Sequence, residues 1–406
     1  MGRPTSQDPV QEAIHQAILA CHESPLLNKQ DEDRTDCFFV ADLGEVTRQY
    51  TLWKQNLPGV TPFYAVKCNP SPPLLTHLST LSPPIFFDCA SLFEIKLILS
   101  LNIPASRILF ASPVKSRSAL TFAARHGINT LTFDNEDELS KIAEHHPHAS
   151  LYLRVIARDP GCAIDLSEKF GAEVGGMSRG LLRRARELGL RVEGVAFHVG
   201  TGAKDGRSYV SAVEDCRAVM KQAEEEGFEI GTVDVGGGFG WESFGEVSRS
   251  LRGTKGTLPG GVRIVGEPGR FLAATAYTLA CQVVGVRRGG AVQGEKEELD
   301  RVYLSDGVFG NFMNCLVEKL DPVAYLIKSP ERRHEDPGAS GPYEYSLWGP
   351  TCDSTDKITD RCSLPEEVRT DDWICFPEMG AYTSTCATSF NGFPAVRKTI
   401  YVNSES

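Results

Sequence analysis

Between residues 62 and 266, short apolar runs alternate with longer amphipathic stretches. The runs lie at 63–66, 85–87, 108–110, 131–133, 151–156, 195–199, 232–235 and 262–265. Each is too short for a helix and apolar throughout, the pattern of a strand buried on both faces. Helical periodicity fills the intervals at 92–101, 118–124, 136–144, 178–188 and 209–226, with a shorter seventh segment at 243–251. Eight strand–helix units in one series predict a (β/α)8 barrel. The rival, a doubly wound open sheet, rarely reaches eight units without an antiparallel edge strand.

The texture changes near Thr278. Apolar runs at 278–284, 301–304 and 373–376 are separated by Gly, Pro and charged loops, and long helical periodicity is missing, which predicts a second, β-rich C-terminal domain. The strand-like Phe38-Phe39-Val40-Ala41-Asp42 precedes the barrel and is expected to join that second sheet. The resulting division is an N-terminal segment 1–42 belonging to the β domain, a barrel at 43–276 and the β domain proper at 277–406. Segments 289–300 and 330–342 read as exposed, mobile loops.

Composition narrows the function classes. The chain has 406 residues, is 41% hydrophobic and 23% charged, and carries a net charge of -11, so disordered and coiled-coil classes are excluded. No dense basic run is present, which argues against a nucleic-acid partner. No apolar run approaches the roughly 20 residues needed to span a bilayer. Twelve cysteines are scattered without CxxC pairs, and the N-terminus lacks an apolar signal region, so a reducing, cytoplasmic setting is expected. Met1-Gly2 with Ser6 matches a loose myristoylation pattern and is read as chance. His145, His146 and His148 are read as a solvated turn, since no partner set with metal-ligand spacing accompanies them; no metal site is expected.

In a barrel, the C-terminal ends of the strands converge on one mouth. Strand one ends at Lys67, strand two at Asp88, strand six at His198 and strand eight at Glu267-Pro268-Gly269-Arg270; Arg154 lies within strand five. Strand seven ends in Asp234-Val235-Gly236-Gly237-Gly238. Consecutive glycines let backbone N–H groups approach an anion, and the turns after strands seven and eight form the usual phosphate site of this fold. Arg270 adds a charge-assisted partner. A lysine desolvated near positive charge has its pKa lowered and can form a Schiff base. A lone strand-end lysine, histidine or triple glycine is ordinarily structural. Their coincidence on one rim points to pyridoxal phosphate.

With these residues in view, the chain resembles the fold III, alanine-racemase-like family of pyridoxal-phosphate decarboxylases, and within it the ornithine decarboxylase branch. The carrying motifs are PFYAVKCNP around Lys67, FDCAS at 87–91, LRV at Arg154, EKFGAEV at 168–174, FHVGTG around His198, DVGGGFG, EPGRF, SDGVFGNF, WGPTCDS around Cys352 and MGAYT around Tyr382. They run in family order from about residue 38 to 393. The resemblance implies that Lys67 carries the cofactor as a Schiff base and that Glu267 pairs with its ring nitrogen. Asp88 and Arg154 lie near it, supported by Glu94, and His198 stacks on the ring face. Thr201, Gly236, Gly237, Gly238, Arg270 and Tyr382 would hold the phosphate. It further implies a homodimer with shared active sites, in which the partner's copies of Cys352 and Asp353 enter the pocket. The thiol returns a proton to the α-carbon and the carboxylate receives the distal ammonium of a small-molecule amino-acid substrate. Phe390 lines the same pocket, and Lys169 and Asp356 match positions that pair across the dimer.

Two departures bear on the substrate. Phe309 stands where the branch carries Tyr. The branch's second ammonium-binding Asp is replaced by Glu318 in an ungapped reading, or by Lys319 if 314–315 are realigned. Glu moves the carboxylate by roughly 1.5 Å, a displacement that reaction geometry tolerates poorly. Lys would repel the substrate's ammonium. The segment between strands seven and eight is also shortened and is expected to loosen one barrel helix. The favoured expectation is decarboxylation of L-ornithine to putrescine, because Cys352-Asp353 is intact. The alternatives are a paralogue acting on lysine, arginine or another diamino acid, and an inactive regulatory homologue, which should have lost cofactor or proton-donor residues.

Overall fold

The computed structural model describes residues 8–23, 36–158, 167–203, 205–289, 298–335 and 341–404. They fall into two compact units, Met1–Val46 with Ala273–Ser406, and Thr47–Leu272. Met1, Gly2 and Ser6, parts of both expected loops and the residues 159–166 lie outside the described residues.

The chain opens with a helix the sequence reading did not foresee, α1 (Pro9–Glu23). Ile14 and Ile18, one turn apart, pack with Phe38, Val40, Ala280, Ile327, Trp373 and Cys375 of the β unit. Val10, Ala13, Ala17 and Cys21 pack against the same cluster and complete an apolar stripe at helical spacing. Strand β1 (Cys37–Asp42) follows, buried along its whole length.

The second unit is built on α2 (Leu43–Asn56), β2 (Val60–Ala65), α3 (Pro72–Thr80), β3 (Phe86–Cys89), α4 (Leu92–Ser100), β4 (Ile108–Phe110) and α5 (Arg117–His126). It continues with β5 (Thr130–Phe133), α6 (Glu136–His145), β6 (Ser150–Arg154), α7 (Gly176–Glu187), β7 (Arg191–Ala196) and α8 (Arg207–Glu225). Strands β8 (Thr232–Asp234) and β9 (Arg263–Gly266) flank α9 (Phe244–Thr254), and α10 (Gly269–Ala273) follows β9. Strands β2 to β9 form a closed barrel in sequence order, all pairs parallel, with β9 returning to β2 through Val60 and Ile264. The expected eight-unit barrel is what the chain forms. Its interior holds Phe63, Leu109, Tyr152, Ala196 and Val265 as one cluster. Gly194 makes room for this filling: a Cβ there would lie 2.4 Å from the Tyr152 ring.

Helix α9 is not loosened. Phe244, Val247 and Leu251 bury one of its faces, and the Phe244 and Phe271 rings lie 4.0 Å apart. The histidine run also differs from expectation. His146 closes α6 and is buried, one ring nitrogen bonded to the Ile128 carbonyl, because the chain must turn inward there to enter β6.

The other unit continues with β10 (Tyr277–Arg287), β11 (Asp300–Leu304), α11 (Met313–Val317), β12 (Tyr325–Ile327), β13 (Tyr343–Trp348), β14 (Lys357–Leu364), β15 (Trp373–Phe376) and β16 (Lys398–Val402). The strands run in the order β12-β15-β10-β11-β13-β14. Strand β1 pairs antiparallel with β10 and parallel with β16. The part of the expected mobile loop that is described is pinned instead: Arg332 is buried and forms an ion pair with Asp372, which burial would otherwise penalise.

Candidate active site

Strand β2 runs into a single 3-10 turn, Val66–Cys68, whose two outer residues are buried, and this turn lifts Lys67 onto the barrel mouth. The Lys67 side chain is 39% exposed, and its Nζ donates to Asp88 Oδ2 at 2.9 Å. The expected setting beside positive charge is therefore not what the amine meets first; its nearest partner is a carboxylate. Asp88 sits at the end of β3, and its position is fixed by the start of α4. Ser91 accepts from the Glu94 amide and Glu94 Oε2 accepts from the Ala90 amide, a reciprocal cap that binds the β3–α4 turn to its helix. Burial raises the Glu94 carboxyl, opposed by the Ala90 bond.

His198 follows β7 and is enclosed. The Gly200 amide donates to its Nδ1 at 3.0 Å, which leaves the proton of the neutral ring on Nε2. Burial, with Arg154 and Lys67 nearby, holds its pKa well below the usual imidazole range. The glycines after β8 fold against this ring. A Cβ at Gly237 would lie 2.7 Å from His198 Nε2, and one at Gly238, where φ is +95°, would lie 2.8 Å from both the Gly200 oxygen and the Tyr209 hydroxyl. Tyr209, buried on α8, donates to the Gly237 carbonyl at 2.7 Å. Behind the turn, the Trp53 ring lies 4.8 Å from Phe239 and 5.9 Å from Phe271. Phe239 follows the triple glycine and Phe271 follows Arg270, so one aromatic cluster anchors both turns expected to hold phosphate.

The electrostatics centre on carboxylates. Asp234, at the end of β8, is buried, as is nearby Asp88, and Glu267, just after β9, is half-buried beside them. Burial, then Asp234 and Asp88, push the Glu267 carboxyl well above its usual range; burial likewise raises Asp234 to about 7, against a bond from the Gly236 amide. Burial lowers the pKa of the Arg154 guanidinium, opposed by Glu267 and Asp134. Sequence reading passed over Asp234. Its signal was there, a carboxylate at a strand end next to the triple glycine, but its partnership with Glu267 crosses two strands.

In the β unit, Cys352 and Asp353 are adjacent on an exposed segment after β13. Asp353 accepts from the Thr355 amide and hydroxyl, which holds its carboxyl below the ordinary range. The Phe309 and Phe390 rings pack 4.5 Å apart. Phe309, Thr351 and Phe390 share a cleft with Thr388, Phe393 and Arg397. Glu318 ends α11 half-buried, whereas Lys319 is exposed with φ of +56°. Tyr382 also has positive φ, in the turn after β15. Asp356 is 1% exposed and accepts from the Val308 amide, the Thr351 amide and the Thr351 hydroxyl, so its carboxylate holds two loops of its own unit together. Lys169 lies over the Phe170 ring.

The barrel mouth fits pyridoxal phosphate. Asp88 Oδ1 is buried without a hydrogen-bond donor. Three carboxylates crowd the point where a protonated ring nitrogen would supply positive charge. The glycine turn forms a cradle that any side chain would fill.

Comparison with known proteins agrees. Residues 43–274 match the family described as pyridoxal-dependent decarboxylase, pyridoxal binding domain. The ornithine decarboxylase of Neurospora crassa is 41% identical, with all of this chain and 87% of the relative covered. The decarboxylase flvG of Aspergillus flavus is 39% identical over 96% of this chain and 91% of its own. Among solved structures, the arginine decarboxylase of Paramecium bursaria Chlorella virus superposes with a TM-score of 0.85 at 32% identity, covering 96% of this chain and 100% of the other. A barrel with a lysine bonded to Asp88, a half-buried neutral histidine and a glycine cradle thus coincides with full-length similarity, and this chain belongs to the pyridoxal-dependent decarboxylases.

Proposed function

We propose that this protein decarboxylates L-ornithine to putrescine and carbon dioxide, at sites completed by a second copy of the chain. The observation that carries the reading is the complete set at the barrel mouth, Lys67, Asp88, Arg154, His198 and Glu267, joined by the exposed pair Cys352-Asp353 on the other unit. An inactive regulator would lack part of it. Full-length similarity to the Neurospora crassa ornithine decarboxylase supports ornithine as the substrate.

Lys67 would hold the cofactor aldehyde through its amine. Glu267 would pair with the ring nitrogen, whose positive charge would offset the crowding with Asp234 and favour the carboxylate form of Glu267. Neutral His198 would stack on the ring and keep water from it. Thr201, Gly236, Gly237, Gly238, Arg270 and Tyr382 would bind the phosphate. When bound, pyridoxal phosphate supplies a conjugated ring that takes up the electron pair released as the carboxylate departs. Cys352 of the second copy gives its thiol proton to the α-carbon and regains one from solvent. Asp353 and Glu318 receive the distal ammonium, with Phe309 and Phe390 along the methylene chain.

Among the described residues every cysteine is a free thiol, and no helix is long and apolar enough to cross a membrane. A reducing, cytoplasmic location in polyamine biosynthesis suits both.

The test is carbon dioxide release from ornithine, lysine and arginine by purified protein with pyridoxal phosphate. The reading requires the highest kcat/KM for ornithine. A higher value for lysine or arginine reassigns the substrate, and no release from any of the three overturns the activity.

A further inference from the structure

The segment 388–391 touches both loops that the proposed reaction depends on. Asn391 Oδ1 accepts the Cys352 backbone amide at 3.1 Å. Three residues earlier, the Thr388 amide and hydroxyl both donate to the Phe309 carbonyl, at 2.9 and 2.8 Å. Between them the Phe390 ring packs at a tilt against Phe309, and its amide donates back to Thr388 Oγ1 at 3.3 Å. Asn391 itself has φ of +55° and ψ of +14°. That left-handed conformation is open to Asn and Gly but strained for most residues. The position thus combines two requirements, a left-handed backbone and a side-chain oxygen aimed at the Cys352 amide, which Asn meets together.

From the opposite side, Asp356 ties Val308 to Thr351. The substrate-facing loop around Phe309 and the thiol loop around Cys352 are therefore held twice, by Asp356 at their base and by Thr388–Asn391 at their tips. Cys352 is exposed, so packing within its own unit does little to orient it. The bond from its amide to Asn391 fixes the backbone from which the thiol projects.

We infer that Asn391 is the positioning residue for the Cys352 thiol, and that Thr388 is its counterpart for Phe309. The inference rests on the reading of Cys352 as the proton donor. It predicts a separation of kinetic effects. A loosened thiol slows the step that needs the proton and leaves substrate binding intact, whereas a loosened Phe309 weakens the fit to the substrate chain.

The experiment compares the holoenzyme with Asn391→Gly, Asn391→Asp, Thr388→Val and Cys352→Ala, using ornithine. Asn391→Gly keeps the left-handed backbone and removes the acceptor; its kcat should fall about tenfold, the equivalent of one good hydrogen bond, with KM within about twofold. Asn391→Asp keeps an acceptor and should recover at least half of the lost kcat. Thr388→Val should raise KM about threefold to tenfold with kcat largely kept. Iodoacetamide labelling of Cys352, followed by peptide mapping, gives a readout independent of turnover; its rate should change at least about threefold in Asn391→Gly and return toward the parent value in Asn391→Asp. Unchanged kcat and labelling in Asn391→Gly, with Cys352→Ala strongly impaired, overturns the inference. Parent-like activity of Cys352→Ala overturns the proton-donor reading instead, and the labelling rate then decides alone whether Asn391 orients the thiol.

Discussion

Glu267 and Asp234 end neighbouring strands with their carboxyl groups side by side; burial raises both above their ordinary range, Asp234 raises Glu267 further, and the hydrogen bond with Glu267 partly lowers Asp234. A carboxyl whose folded-state pKa is raised contributes stability that is full below its unfolded value and is lost as pH rises through the folded value. For Asp234 that window runs from its ordinary value of 3.8 to about 7. Cofactor-free protein should therefore melt roughly 5 °C lower at pH 8 than near pH 5. Pyridoxal phosphate should flatten the dependence, because its ring cation neutralises the pair. Asp234→Asn should flatten it without cofactor. Differential scanning fluorimetry across pH measures both; a cofactor-free melting temperature that rises over this range contradicts the account.

His198 is held neutral by burial and by Arg154 and Lys67, and its Nδ1 is occupied by the Gly200 amide. The pH profile of kcat/KM should therefore show no histidine ionisation between about pH 6 and 8. His198→Phe keeps an aromatic face and should retain most cofactor affinity, whereas His198→Ala should weaken it about tenfold. Equal loss in both variants would remove stacking as the role of the ring.

The distal-ammonium reading gives Glu318 and Asp353 a common kinetic signature. Glu318→Gln and Asp353→Asn should each raise the KM for ornithine at least about tenfold, since a charge-assisted bond to the substrate is lost. An effect on kcat alone would place these residues elsewhere in the reaction.

The barrel rim also contains a cluster that the reaction does not use. Lys115, buried between β4 and α5, pairs with Glu138 at 2.9 Å, and Lys141 reaches the same carboxylate. Burial brings Lys115 down to about 8 despite Glu138. Glu138→Ala leaves two ammonium groups without their shared anion and should cost about 3 kcal/mol, or roughly 10 °C in melting temperature. The double variant Lys115→Met, Glu138→Leu should cost less than Glu138→Ala alone. If the single variant melts with the parent protein, the cluster carries no stability.

Which of these features the sequence disclosed follows from how local each one is. The eight strands were readable because parallel strands covered on both faces are apolar runs such as Ile108-Leu109-Phe110. Lys67, His198 and Glu267 were readable because a barrel brings strand ends together. Asp234 and Asn391 were not. The first matters through Glu267 on the next strand, and the second through a bond to Cys352, 39 positions away, from a backbone conformation that sequence periodicity does not register. The structural role of Asp356 was hidden for a related reason: Val308 and Thr351, which its carboxylate ties together, lie on separate loops.

The central claim is a reaction anchored at Lys67 and completed by Cys352 of another copy. Lys67→Ala and Cys352→Ala proteins, each inactive alone, are mixed under conditions that exchange subunits, and carbon dioxide release from ornithine is measured. A symmetric dimer with shared sites predicts recovery of about a quarter of parental activity, because half the dimers are mixed and each mixed dimer holds one intact site. Mixed dimers that form and release no carbon dioxide would contradict it.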